Sequence, residues 1–288
     1  MKLFRYGPRG REKPGVLDTD GTLLDASTLV DDWHGGTLDD ATLARLREAV
    51  AARSLAPLDD GDGETRFGAP LTGVGKIIGI GLNYRAHAAE AGLDVPTAPV
   101  IFLKAASALN GPFDDIVLPP GSVETDWEVE LAVVIGAGGA HIPRAQAPAH
   151  VAGYCAANDV SERDHQLKRG TQWSRGKSAD TFAPLGPWLV TRDAVPEPQN
   201  LGLTLAVNGE TMQAGNTADM IFPVDELIAD VSTYMSLQPG DVLITGTPPG
   251  VGLGMKPPRY LRAGDTVHLE VEGLGEQRAR VVDAPGRG

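Results

Sequence analysis

The chain is poor in cysteine: Cys155 is the only one in 288 residues, so no intrachain disulfide can form. It sits in the apolar run Val151-Ala-Gly-Tyr-Cys-Ala-Ala. That setting predicts a buried thiol rather than a nucleophile, because no sequence neighbour would lower its pKa. Aromatic residues are scarce, at 5%, so the core must be built from Val, Leu, Ile and Ala. Cations are in the minority. Against 38 Asp and Glu stand 25 Lys and Arg, a net charge of -13, which argues against nucleic acid or an anionic membrane as partner. No run approaches the roughly 20 apolar residues of a membrane span. The first residues, Met1-Lys-Leu-Phe-Arg-Tyr-Gly, lack an apolar stretch of signal-peptide length. The expectation is a cytoplasmic protein with no nucleic-acid or membrane partner.

What is present is an ordinary globular balance, 42% hydrophobic and 22% charged, enough for a real core. Residues 1 to 70 read as a small N-terminal unit. Leu3 to Tyr6 suits a strand, and Val16-Leu-Asp-Thr-Asp-Gly-Thr-Leu-Leu suits a hairpin turning at Asp20-Gly21. From Asp40, the residues Leu43, Leu46 and Val50 fall at helical spacing, with Asp39 or Asp40 as cap. Pro57-Leu-Asp-Asp-Gly-Asp-Gly-Glu then reads as an acidic linker.

Beyond it, strands dominate: Lys76 to Gly81, Val100 to Leu103, Leu131 to Ile135, Pro187 to Thr191, Leu203 to Val207, Asp241 to Thr245 and Thr266 to Val271. Asn208-Gly209 marks a hairpin turn between strands. Two helices are expected. One starts near Ser161, where Ser161 and Asp164 have the spacing of a capping box. The other runs from Pro223, with Leu227, Ile228, Val231, Tyr234 and Met235 on one stripe, and stops at Pro239-Gly240. This is not the βαβα alternation of a doubly wound sheet. It predicts an α+β fold on a β-sandwich or rolled barrel.

Several segments could carry chemistry. In Asp126-Trp-Glu-Val-Glu-Leu-Ala-Val-Val-Ile, strand alternation puts Glu128 and Glu130 on one face. Adjacent carboxylates repel unless a cation lies between them. The alternative is a solvated strand start, and Glu270-Val-Glu272 shows how easily the pattern recurs. Asp159 follows an apolar strand. It reads as a cap or as a third oxygen ligand, and three carboxylates without Cys or His suit a hard ion, Mg²⁺ or Mn²⁺. Arg163 and Gln166 are neighbours on one helix face, or merely solvated. His87 and Glu90 are three apart, so the carboxylate can orient the imidazole. The flanking glycines, Gly92 among them, would let this segment move as a lid. Lys177, in a turn-rich stretch, could stabilise an enolate or simply face water. Thr245-Gly-Thr-Pro-Pro-Gly-Val-Gly lacks the Gly-Lys-Ser/Thr ending of a phosphate loop, and its prolines remove amide donors. Thr247 could still offer a hydroxyl to a carboxylate.

Taken in order, these segments resemble the fumarylacetoacetate hydrolase family over roughly residues 75 to 283. The resemblance rests on Asn83-Tyr-x-x-His87-x-x-Glu90, Glu128-x-Glu130, Asn158-Asp-Val-Ser-Glu-Arg-Asp and Gly176-Lys-Ser. It also rests on Val207-Asn-Gly-Glu with Thr217-Ala-Asp-Met-Ile-Phe, and on Gly240-Asp with Thr245-Gly-Thr-Pro-x-Gly-Val-Gly. It implies a mixed β-sandwich roll over residues 71–288, usually dimeric, behind a small domain at 1–70. It implies Glu128, Glu130 and Asp159 as ligands of Mg²⁺ (or Mn²⁺), and His87, Glu90 and Lys177 as catalytic residues. Arg163, Gln166 and Thr247 become substrate contacts. The implied activity is hydrolytic C–C cleavage of a 2,4-dioxo acid or acylpyruvate, giving pyruvate and a second acid. The rivals are 2-oxo acid (oxaloacetate) decarboxylation, isomerisation of a dienedioate, and a non-catalytic metal-stabilised scaffold. The stretch from Lys177 to Thr191, with Lys256-Pro-Pro-Arg-Tyr-Leu and Glu272-Gly-Leu-Gly-Glu, is most similar to members that cleave 2,4-dioxo-3-deoxy sugar acids. Expected partners are a small 2-oxo acid and a second copy of the chain.

Overall fold

The computed structural model describes residues 1–58, 65–90, 92 and 94–285. Most of the acidic linker at 57–64 lies outside the described residues. The architecture is mixed α+β, with two main sheets and few helices. The larger sheet runs Leu23–Asp25, Lys13–Leu17, Lys2–Tyr6, Leu189–Thr191, Val151–Asn158, Val129–Ile135, Val242–Ile244, Ile77–Gly81 and Val100–Lys104. Its ends do not meet among the described residues, so it is an open sheet rather than a barrel. The smaller sheet is Glu210–Asn216, Gly202–Val207, Thr266–Val271, Gly275–Asp283 and Ile116–Leu118.

The two sheets pack through Val129–Ile135 and Val151–Asn158, which touch Gly202–Val207 and Thr266–Val271. Every residue of the first two strands is buried. That explains their near-continuous apolar sequence: a strand covered on both faces has no wet side to make polar. Cys155 lies in this layer, fully buried, and burial pushes its thiol well above the usual range. The N-terminal strands continue the larger sheet, since Leu3 pairs with Leu189.

Several expected elements form as read. The hairpin at Asp20-Gly21 joins Lys13–Leu17 to Leu23–Asp25. Asp39 caps the helix Asp40–Ala51, accepting from the Thr42 amide at 2.9 Å. Asn208 and Gly209, at φ 52° and 82°, make the left-handed turn between their strands.

Two helix expectations need correction. Ser161 starts no helix. Ser161–Glu162 is a short strand paired with Thr125–Asp126, and the Ser161 hydroxyl donates to the Asp159 carbonyl at 2.8 Å. Only Asp164–Lys168 winds into a wide helical turn. Cross-strand pairing supplied partners that outweighed the local capping spacing. The later helix, Val224–Tyr234, ends before Pro239, and Tyr234 is 69% exposed rather than on the buried stripe. Among the described residues, no helix is long and apolar enough to cross a membrane.

Buried polar side chains fasten the sheets to the loops. Gln213, fully buried, accepts from the Val129 amide at 2.9 Å and donates to Thr247 Oγ1 and the Pro248 carbonyl, both at 2.8 Å. Gln213→Leu removes both ends of this link and strands a buried amide. The expected loss is about 1–3 kcal/mol of stability, read as a lowered midpoint in chemical denaturation. An unchanged midpoint would show that water or repacking satisfies these groups.

Candidate active site and metal centre

The centre of the site is set by strand register. Val129 pairs with Asn158 and Glu130 with Ala157. One step beyond, the Asp159 amide donates to the Glu128 carbonyl at 2.9 Å. Opposed residues point to the same face, and so do residues two apart. Glu128, Glu130 and Asp159 therefore converge, each able to place an oxygen within 4.8 Å of the others. All three are buried.

Cations hold two of these carboxylates. Lys177, in the one-turn helix Ser174–Lys177, sits with its Nζ against Asp159 and 2.7 Å from Glu128 Oε2. It is 2% exposed, so the reading of it as a solvated lysine is excluded. Lys104, at the end of Val100–Lys104, binds the other Asp159 oxygen and the Val160 carbonyl at 3.1 Å. Arg163 Nε lies 2.9 Å from Asp126 Oδ2, and its Nη1 donates to Gln166 Oε1 at 3.0 Å. Its Nη2 is 2.6 Å from Glu128 Oε1 as an ion pair but is off the line of a hydrogen bond.

These pairings split the carboxylates electrostatically. Burial would raise Glu128, but Lys177 and then Arg163 hold it well below the usual range. Glu130 goes the other way. Burial is reinforced by the charges of Asp159 and Glu128 and lifts it well above the usual range. Among the described residues it has no ion-pair partner, and its Oε2 accepts only the Gly246 amide, at 2.7 Å. Burial lowers Lys104 despite Asp159, whereas Asp159 and Glu128 outweigh burial at Lys177 and raise it.

The residues fit a divalent ion. With Asp126, four carboxyl groups face three cations, and Glu130 is the one left without a counterion. The donors are all hard oxygens, with no Cys or His among them, which matches Mg²⁺ or Mn²⁺ chemistry. Glu128, Glu130 and Asp159 would hold the ion.

Above this centre opens a cavity of about 600 Å³. Glu128, Glu130, Arg163, Gln166, Lys177 and Thr247 line it, and so do His87 and Glu90. The last two lie on the short helix Arg85–Glu90, with His87 Nδ1 3.3 Å from Glu90 Oε2. Glu90 in turn accepts the Gly250 amide, at 3.0 and 3.1 Å to its two oxygens. The helix is thus docked on the loop after Thr247. Thr247 is present, but its hydroxyl already donates to the Val129 carbonyl at 2.8 Å, so its proton is not free for a substrate here.

Sequence reading missed Lys104 and Asp126. A lysine closing an apolar strand looks solvated, and the only signal was the unbroken apolar run before it. Asp126 accepts the Gly252 and Leu253 amides, at 2.7 and 2.9 Å, as well as Arg163. Nothing local in sequence announces partners more than a hundred residues away.

The raised position of Glu130 has a measurable sign. A metal needs the carboxylate, whereas the metal-free site favours the proton. Manganese uptake should therefore release protons, and apparent affinity should climb as pH rises above the ordinary carboxylate range. Calorimetry in buffers of different ionisation enthalpy reads both. Affinity independent of pH, with no proton release, would remove Glu130 from the ligand set.

Comparison with known proteins agrees with this geometry. Residues 76–282 match the fumarylacetoacetate (FAA) hydrolase C-terminal family. A Burkholderia cenocepacia protein named only as a hydrolase is 58% identical over 285 residues, 99% of this chain and 100% of the relative. The crystal structure of maleylpyruvate hydrolase from Sphingobium sp. SYK-6, in complex with manganese (II) ion and pyruvate, is 31% identical with a TM-score of 0.81. The alignment covers 99% of this chain and 100% of that one. A 5-carboxymethyl-2-hydroxymuconate delta-isomerase from Mycobacterium smegmatis is 34% identical with a TM-score of 0.77, over the same shares of the two chains. Hydrolases and isomerases thus share this architecture, and the chain belongs to the fumarylacetoacetate hydrolase family.

Proposed function

We propose that this protein is a Mg²⁺- or Mn²⁺-dependent hydrolase that cleaves a C–C bond in an acylpyruvate or other 2,4-dioxo acid, releasing pyruvate and a second carboxylic acid. One observation carries the reading. An imidazole–carboxylate pair, His87 with Glu90, opens into the same cavity as Glu128 and Glu130 of the carboxylate triad that Asp159 completes. A metal-stabilised scaffold has no use for that pair. The maleylpyruvate hydrolase with manganese and pyruvate supports the same substrate class.

A divalent ion in the triad would polarise the 2-oxo group and hold its neighbouring carboxylate. The remaining work falls to the chain's own side chains. The Arg163 guanidinium borders the cavity, held by Asp126 and Glu128, and would present positive charge to an incoming carboxylate. The Glu90 carboxylate takes the Nδ1 side of His87, which leaves Nε2 as the base. His87 Nε2 accepts a proton from water as the water oxygen bonds to the C4 carbonyl carbon. The C3–C4 bond then breaks and its electron pair moves into a pyruvate enolate, which the Lys177 ammonium stabilises. The proton held by His87 completes pyruvate at C3. The same centre without water attack suits decarboxylation or isomerisation, and the isomerase of the same fold keeps that second reading alive. The protein would act as a homodimer on a small 2-oxo acid, with no nucleic-acid or membrane partner.

Glu130→Ala should abolish turnover and bound metal while the fold persists, as read by metal analysis and circular dichroism. Full metal content in this variant would refute the ligand assignment. His87→Ala separates the chemistries. Cleavage of acylpyruvates should fall by roughly 100-fold or more, whereas oxaloacetate decarboxylation, which adds no water, should fall less, with metal content unchanged. Equal loss of both activities would recast His87 as a positioning group, and unchanged cleavage would remove it from the mechanism.

A further inference from the structure

The cavity wall beyond the reactive groups has a character of its own. Trp173 and Phe102 form a tilted aromatic corner, with ring centroids 5.8 Å apart at 51°. The strand beneath is built to receive them. A Cβ at Gly79 would meet Phe102 at 2.2 Å, and one at Gly81 would meet Trp173 at 2.3 Å. Both rings therefore lie directly against bare backbone, which accounts for Gly79 within the strand Ile77–Gly81 and Gly81 at its end. Lys177 Nζ stands 4.9 Å from the centre of the Phe102 ring, so the aromatic corner begins where the reactive cluster ends. The cavity is also lined by Leu167, Val251, Leu253, Met255 and Pro258.

Hydrogen-bonding capacity is scarce in this part of the wall. Besides His87, Arg163, Gln166, Lys177 and Thr247, already placed at the reactive centre, the donors among the described lining side chains are the Trp173 indole N–H and Lys256. Lys256 is exposed and also borders the adjacent surface groove. A hydroxylated chain placed here would surrender water without gaining partners, and each group left unpaired weakens binding. A flat apolar arm loses nothing and gains the rings.

We propose that this slot selects substrates whose acyl arm is flat and hydroxyl-free, an aryl or alkenyl group, with Trp173 as the specificity-determining residue. This rests on the acylpyruvate reading above and runs against the sugar-acid subgroup that the sequence most resembles.

The test separates binding from turnover. Calorimetry on the manganese-loaded protein compares oxamate with N-phenyloxamate, two unreactive 2-oxo acid mimics that differ only in the arm. The phenyl compound should bind roughly tenfold tighter to the wild type, and Trp173→Ala should bring the ratio close to one. Leu253→Ser, at another point of the lining, should also shrink it, and it preserves the test should the tryptophan variant fail to fold. Equal or undetectable binding of the two mimics by wild type overturns the proposal, as does a ratio unchanged in the folded variants. Turnover of benzoylpyruvate is then set against that of a 2,4-dioxo-3-deoxy sugar acid. Faster cleavage of the aryl substrate supports the slot, and preference for the sugar acid overturns it. A phenyl preference in binding with no acylpyruvate cleaved leaves the slot standing and removes the hydrolase reading instead.

Discussion

The structure depends on burying more carboxyl groups than cations in one place. Carboxylates in a low-dielectric interior need compensation, and an isolated buried charge is strongly destabilising. Here Lys104, Lys177 and Arg163 neutralise Asp126, Glu128 and Asp159 in a chain of contacts drawn from four separate segments. Glu130 is left over. A protein seeking stability alone would place an apolar residue there. The mismatch suits the centre to a further cation, and on the proposed function that cation would let an acidic chain receive an anion. With Glu130 protonated the cluster is close to neutral, and a divalent ion that displaces that proton would leave it net positive.

The surrounding fold serves to hold this cluster still. Two strands buried on both faces hold the triad, Glu130 within one and Glu128 and Asp159 just past their ends, and the register between them fixes which side chains meet. The loops that complete the cavity are tied to the sheet by side chains with several partners each. Asn83 joins the Phe222 and Thr245 backbones, and Gln213 joins Val129 to the Thr247–Pro248 turn. Catalytic geometry in such a site is only as good as this outer support.

What the sequence shows follows from the range of each interaction. Period-two alternation is local, so it suffices by itself to place Glu128 and Glu130 on one face. The i, i+3 spacing is local too, and it brings out His87 with Glu90 and Arg163 with Gln166. Asp159 needs family resemblance to choose between cap and ligand, because its place beside Glu128 depends on strand register. Lys104 and Asp126 escape for the same reason: their partners are distant in the chain. The false helix start at Ser161 shows the reverse case, a valid local signal overridden by pairing with Thr125–Asp126. Tyr234 fits the helical stripe by spacing, yet it falls on the last turn, where the core no longer covers it.

Asp126 couples two parts with opposite demands. It grips Arg163, which must keep its position for any anionic substrate, and it also grips the backbone at Gly252 and Leu253. The wall of the cavity is therefore anchored through its amides, and the Leu253 side chain lies outside the hydrophobic core. Such a wall can be resurfaced one residue at a time without disturbing the reactive centre beside it. Small exchanges in this loop would therefore reshape the cavity while leaving the charged cluster beneath them in place.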